Sequence, residues 1–277
     1  MYNASLDAFL TSALTEDIGT GDITTLSCIP ESMTSKGFFR AKQAGVVCGL
    51  DVLERVFALI DPQVKVTRLC GEGDKVEKGQ NIASIEGPSR SILVGERTAL
   101  NLIQRMSGIA TRTAEAVEAV KGTKARITDT RKTTPGLRVL EKYAVKAGGG
   151  SNHRFNLADG VLIKDNHIVA AGGIKAAVEA VRKNIPHTLK IEVETENMEM
   201  IAEALEAKAD IIMLDNMSIE QMAEAVKFID GRALTEASGN MGERDLAAVA
   251  ATGVDIISIG ALTHTVKALD ISLKFTE

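Results

Sequence analysis

From Lys124 onward the chain repeats one unit, and this repetition constrains its fold more than any other feature. Short apolar runs end on polar residues at Ala125–Asp129, Gly160–Lys164, Leu189–Glu194, Asp210–Asp215, Arg232–Ser238 and Asp255–Gly260. Amphipathic stretches separate them near 137–147, 168–184, 197–208, 218–228 and 242–251. Strands alternating with helices specify a parallel α/β sheet, because parallel neighbours need a crossover long enough to hold a helix. Pattern alone leaves sheet and barrel open. At least six βα units without a break favour a TIM-like barrel, open or incomplete. The lack of Gly-x-Gly-x-x-Gly after the first strand weakens a dinucleotide fold.

The first hundred residues read differently. An amphipathic start (Leu6, Phe9, Leu10, Leu14) leads to Thr20-Gly-Asp-Ile-Thr-Thr25, then to β-like runs at Lys36–Ala41, Ala44–Cys48, Val64–Cys70 and Asn81–Ile85. With the turn-rich segment Gly71–Gly79 between two alternating strands, this is a small α+β sandwich. A lipoyl or biotinyl carrier hammerhead shares that look, but no lysine stands alone on a hairpin tip between hydrophobic residues. A long helix follows, about Gly95 to Val120, with Leu100, Ile103, Met106, Ala110, Ala114 and Val117 at helical spacing and Gly122 at its end. The expected domains are 1–104 and 105–277, with the last residues able to pack back on the first domain.

Apolar residues make up 45% of the 277, and the net charge is −5, which excludes a disordered chain. No apolar run reaches the ~18 residues of a membrane span. The start carries Asp7, Glu16 and Asp17 without a basic segment, unlike a signal peptide. Cys28, Cys48 and Cys70 are too few for a disulfide scaffold, and no two have metal-ligand spacing. A cytosolic globular protein is expected. Its charge is unevenly spread: Lys124 to His167 holds nine Lys/Arg against four Asp/Glu. A basic block in an acidic chain suggests an anion site, although a solvated basic face has the same composition. Nucleic acid is disfavoured, because aromatics are 3% and Trp is absent.

In a barrel of this kind the chemistry sits at the carboxyl ends of the strands. The first strand delivers Asp129-Thr130-Arg131-Lys132, and Thr134-Pro135 then suits the N-cap and first position of a helix. An anion there would meet hydroxyls and the positive helix end together. Gly148-Gly-Gly-Ser-Asn-His153-Arg154 is a flexible loop with another Arg, and the next strand ends on Lys164. Five cationic or imidazole groups in one place call for a ligand with several negative charges. Glu194 and Asp215 end the following strands, and a carboxylate pair beside a polyanion suits Mg²⁺. Asp215 could equally cap a helix opening at Met217. Glu192 points to the same side of its strand as Glu194, and pattern does not separate them. Ser238-Gly239-Asn240 and Ser258-Ile259-Gly260-Ala261 come last, small residues where barrels often hold a phosphate.

The runs Asp129–Arg138, Glu141–Val145, Gly148–Arg154 and Leu162–His167 strongly resemble the quinolinate phosphoribosyltransferase family. So do Glu16–Thr25, Glu96-Arg-Thr98, Asn101-Leu102, Ser107–Thr111, Leu214–Asn216 and Glu236–Gly239. The resemblance implies an N-terminal open sandwich plus an incomplete α/β barrel, a type II phosphoribosyltransferase. It also implies the reaction: quinolinate and phosphoribosyl pyrophosphate (PRPP) give nicotinate mononucleotide, pyrophosphate and CO₂ with Mg²⁺, a step of NAD biosynthesis. By position it places quinolinate on Thr130, Arg131, Lys132, His153, Arg154 and Lys164, with Arg97 supplied by a neighbouring subunit. It places PRPP and metal on Lys132, Lys164, Glu194, Asp215, Ser238, Gly239, Asn240, Ser258, Gly260, Ala261 and Leu262. Glu194 is favoured over Glu192, and Lys132, Glu194, Asp215 and Arg97 carry the catalysis.

Three rival readings share parts of this pattern. One is a paralogous pyrophosphorylase, encoded near molybdate transporters, that uses another aromatic acceptor. Intact Asn152-His153-Arg154 speaks against it. A Schiff-base aldolase would use Lys164, which Asp165 and nearby cations do little to desolvate. A non-catalytic phosphate binder would need its carboxylates broken, and both are present. A shared Arg97 predicts an obligate homo-oligomer, a dimer or a hexamer of dimers.

Overall fold

The computed structural model describes residues 4–276. In chain order the elements are α1 (Ala4–Ile18), α2 (Ile23–Cys28), β1 (Thr34–Ala41), β2 (Gly45–Val46), α3 (Leu50–Ile60), β3 (Lys65–Arg68), β4 (Lys75–Val76), β5 (Asn81–Pro88) and α4 (Ser89–Ala119). Then follow β6 (Arg126–Thr128), α5 (Arg138–Ala147), β7 (Val161–Ile163), α6 (Asp165–Ala171), α7 (Ile174–Asn184), β8 (Ile191–Thr195), α8 (Met198–Glu206) and β9 (Ile211–Asp215). The chain closes with α9 (Ile219–Ile229), β10 (Leu234–Ser238), α10 (Leu246–Ala251), β11 (Ile256–Ser258), α11 (Ala261–His264) and β12 (Ile271–Phe275).

Two compact units result. The first holds the residues through Arg112, with Val139–Gly149 and the residues from Val266. Its antiparallel sheet has the order β12-β1-β5-β3. β1 alternates, so that Gly37, Phe39 and Ala41 face inward next to solvent-facing positions, as a sheet covered on one side requires. Phe39 packs on Phe57 of α3, ring centroids 6.1 Å apart. α3 turns Leu50, Val52, Leu53, Val56 and Phe57 inward. The Glu72 carboxylate accepts the N–H groups of Gly49 (2.9 Å) and Asp51 (3.3 Å), which the first turn of α3 cannot satisfy itself. α5 faces the same unit with Leu140, Glu141, Ala144 and Val145, and buried Glu141 pairs with Arg105 of α4. α4 runs without a break through residue 104, and the division between units falls at Arg112 and Thr113.

The second unit holds Thr113–Arg138 and Gly150–Thr265. Its sheet is six-stranded and wholly parallel, in the order β6-β11-β10-β9-β8-β7. Each apolar run expected as a strand is one. The first strand lies beside the last, as in a barrel, and β6 and β7 form its edges. Beyond β6, Ser151 makes a single parallel bridge to Thr128. The register sets Ser238 beside Asp215 and Met213 beside both Glu194 and Glu236, so the polar strand ends come level.

Two local expectations need correction. The amphipathic stretch 168–184 is two helices, because the chain turns at Gly172 (φ +86°) before α7 starts. Thr134-Pro135 does not open a helix. Residues 135–137 form a turn, Leu137 donates to Thr134 O at 3.0 Å, Gly136 takes φ +83°, and α5 starts at Arg138.

Candidate active site

The strand ends of the second unit surround a cavity of about 540 Å³. Its first wall follows β6. Asp129, fully buried, takes the side-chain N–H of Asn152 at 2.5 Å and the backbone N–H of His153 at 2.9 Å. Ser151 donates through Oγ to Ile127 O at 3.0 Å. These bonds pin the glycine-rich loop to the strand edge, so His153 and Arg154 enter the cavity beside Thr130, Arg131 and Lys132. The Arg154 guanidinium donates to Gly160 O at 2.9 Å. Burial, then Arg131, lower its pKa from the ordinary arginine value, and Glu192 partly offsets them. Arg131 Nε is buried without a hydrogen-bond partner, an orphan donor that a ligand anion could satisfy.

The opposite wall carries the acids. Lys164, after β7, contacts Glu194 Oε2 on β8. Asp215, at the end of β9, accepts from Asn216 Nδ2 at 2.6 Å. It does not cap α9, whose N-cap is Ser218 in a reciprocal box with Gln221. Ser238, Gly239, Asn240 and Ser258 line the same cavity from β10 and β11. Gly239 has φ +93°, and a Cβ there would lie 2.7 Å from the backbone N of Asn216, so no larger residue fits.

Glu192 and Glu194 share one side of β8 but have different surroundings. Glu194 lines the cavity, whereas Glu192 lies beneath it, 4% exposed. Glu192 Oε2 is 3.2 Å from His153 Nε2, and Glu236 Oε1 of β10 is 3.6 Å from the same nitrogen. His153 Nδ1 accepts the Arg154 N–H at 2.8 Å, so the ring proton sits on Nε2 between the two carboxylates. These three residues are the one group with metal-ligand proximity among the described residues. Glu236, 2% exposed, is pushed up to about 7 by burial and by Glu192.

Twelve of the sequence-derived site residues therefore meet in one cavity. Arg97 lies exposed on α4 in the first unit and is not among the lining residues. Leu262 is 1% exposed and belongs to the core, and Gly260 and Ala261 also stay outside the lining. Gly260 acts at one remove, because its bare Cα gives room to the Lys132 side chain. Leu162, Met213, Asn216 and Glu236 line the cavity without having been singled out. The signal for Glu236 was the strand period of two, which sets it on the face of Ser238.

The model of the quinolinate phosphoribosyl transferase C-terminal domain matches residues 109–274, and that of the N-terminal domain matches 22–107. The chain is 46% identical over 276 residues to a probable nicotinate-nucleotide pyrophosphorylase (carboxylating) of Bacillus subtilis, covering 100% of this chain and 95% of that one. It is 45% identical to the mitochondrial quinolinate phosphoribosyltransferase (decarboxylating) 2 of Nicotiana glauca, over 95% of this chain and 80% of the other. The structure of a nicotinate-nucleotide pyrophosphorylase from Francisella tularensis superimposes with a TM-score of 0.95 at 41% identity, covering 100% and 98% of the two chains.

Proposed function

This chain belongs to the quinolinate phosphoribosyltransferase family, and from that premise we propose how its cavity divides the work. The enzyme joins quinolinate to PRPP and releases pyrophosphate and CO₂, leaving nicotinate mononucleotide for NAD synthesis. Quinolinate is a dianion and PRPP a polyanion. The observation that carries the assignment is the convergence of Arg131, Lys132, Arg154 and Lys164 with Glu194 and Asp215 on one cavity.

Arg131, Arg154 and Lys164 hold the two quinolinate carboxylates, with a guanidinium fork suited to each. Lys132 reaches between the acceptor and the phosphoribosyl donor. Ser238, Gly239, Asn240 and Ser258 offer hydroxyls and N–H groups to phosphate oxygens, and Gly260 keeps the Lys132 chain in place. Glu194 and Asp215, carboxylates on adjacent strands at an open cavity, fit Mg²⁺ held largely through donor oxygens and water. When bound, Mg²⁺ neutralises charge on the leaving pyrophosphate. The ring nitrogen then attacks the anomeric carbon, with the reactants held in line and positive character favoured by the two carboxylates. No covalent enzyme intermediate is needed.

The working unit is a homo-oligomer, a dimer or a hexamer of dimers, in which Arg97 serves the cavity of a neighbouring copy. The enzyme works in the cytoplasm, supported by three free cysteines, as a reducing compartment would keep them. Among the described residues no helix is long and apolar enough to cross a membrane. The test is direct: purified protein with quinolinate, PRPP and Mg²⁺ forms nicotinate mononucleotide and CO₂. Nicotinate in place of quinolinate gives no product, and EDTA or Lys132→Ala abolishes turnover. Product from nicotinate, or none from quinolinate, overturns the assignment.

A further inference from the structure

We propose that Glu236 is the acid that completes decarboxylation, giving its carboxyl proton to the ring carbon that loses CO₂. This deepens the reading of the cavity as the quinolinate site and rests on it. After phosphoribosyl transfer, the bond between C2 and its carboxylate breaks and CO₂ leaves. The electron pair stays on C2 beside the cationic ring nitrogen. That pair takes the proton from the Glu236 O–H, and Glu236 is left as a carboxylate. Water reprotonates it once product has gone.

The groups lining the cavity leave few other donors. Arginine is too weak an acid to serve. Lys164 is held against Glu194, Lys132 runs past Gly260 towards the phosphoribosyl donor, and Ser238 and Ser258 are ordinary hydroxyls. His153 presents no proton to the substrate, because Nδ1 accepts the Arg154 N–H and the Nε2 proton points at Glu192. Glu236 lines the cavity and is buried, and its Oε1 has no hydrogen-bond partner.

The groups facing Glu236 explain why it keeps a proton. Glu192 on β8 and burial oppose its ionisation, while His153, Ser258 of β11 and Lys164 after β7 favour it. The one imidazole N–H lies 3.2 Å from Glu192 and 3.6 Å from Glu236, so it serves Glu192 and leaves Glu236 Oε1 without a donor. The second carboxyl is cheapest as a neutral acid. Its pKa of about 7 supports this balance.

The experiment follows pyrophosphate and CO₂ in parallel from quinolinate labelled in its 2-carboxylate. Wild type should release both together. Glu236→Gln keeps the shape and removes the acid. It should bind quinolinate as wild type does and release pyrophosphate, with CO₂ slowed by about a hundredfold. The quenched mixture should then contain the dicarboxylated mononucleotide. Glu192→Gln is the second variant, in case Glu236→Gln folds poorly. Without that neighbouring charge Glu236 ionises at lower pH, so the alkaline fall in the decarboxylation rate should move to lower pH. Equal release of both products in Glu236→Gln, or an unmoved alkaline limb in Glu192→Gln, overturns the proposal. A wild type that forms no nicotinate mononucleotide would instead overturn the reaction assignment.

Discussion

A Cβ placed on Gly260 would stand 3.0 Å from Cδ of Lys132. Gly260 has φ −64°, so space rather than torsion excludes a side chain there. The Lys132 carbonyl also accepts from Thr263 Oγ1 at 2.9 Å, which ties the chain after β6 to α11. Gly260→Ala should therefore leave stability within ~1 kcal/mol, since a lysine stem can move aside. It should displace the amine and raise KM for PRPP about tenfold, equivalent to ~1.4 kcal/mol. Steady-state kinetics beside a thermal melt would check this. An unchanged KM would mean that the contact does not position Lys132.

Asp129 lies outside the cavity lining yet holds the loop that brings His153 and Arg154 into it. Both carboxylate oxygens accept N–H groups, from Asn152 and from His153. Asp129→Asn turns an N–H towards a donor in a fully buried place. The expected loss of stability is on the order of 2–4 kcal/mol, the cost of breaking a buried charged hydrogen-bond pair. Quinolinate binding should weaken more than PRPP binding, because His153 and Arg154 move with the loop. Urea unfolding and calorimetric titration would show both effects. Wild-type quinolinate affinity would show that the loop is held by other means.

The strands were legible because a parallel strand covered on both sides is a short apolar run, and each of the six such runs became one. Part of what the local pattern missed depended on partners distant in sequence. Glu236 of β10 closes a cluster with His153 and Glu192, contributed by a loop and by another strand, β8. α3 carries helical spacing in Leu50, Leu53 and Phe57 but was not anticipated. The turn after Thr134 defeated a good capping signal because Gly136 adopts a left-handed backbone there. Leu262 illustrates the reverse case, since an apolar residue inside a ligand-binding segment fills the core instead.

Metal dependence should reside in Glu194 and Asp215. EDTA should abolish turnover, and added Mg²⁺ should restore it. Asp215→Asn is the cleaner variant, because Glu194 also holds Lys164. It should raise the Mg²⁺ concentration for half-maximal rate by about tenfold, as expected when a hard oxygen site loses one charge. Quinolinate binding measured without PRPP should not change. A wild-type Mg²⁺ requirement in this variant would place the metal on other groups.

The proposed sharing of Arg97 between copies has a sharper test than either variant alone. Arg97→Ala lacks the residue given to a neighbour, and Lys132→Ala lacks one its own cavity needs. Each homo-oligomer should be inactive. If the two are mixed and exchange subunits, a mixed dimer has one cavity from the Arg97→Ala copy with Lys132 intact, completed by Arg97 of its partner. Random pairing in a two-fold dimer then restores roughly a quarter of wild-type activity. The other cavity of that dimer lacks both residues and stays silent. Recovery of activity after mixing and its absence before mixing would establish a site built by two chains. No recovery despite exchange shown by native mass spectrometry would return Arg97 to a role within its own chain.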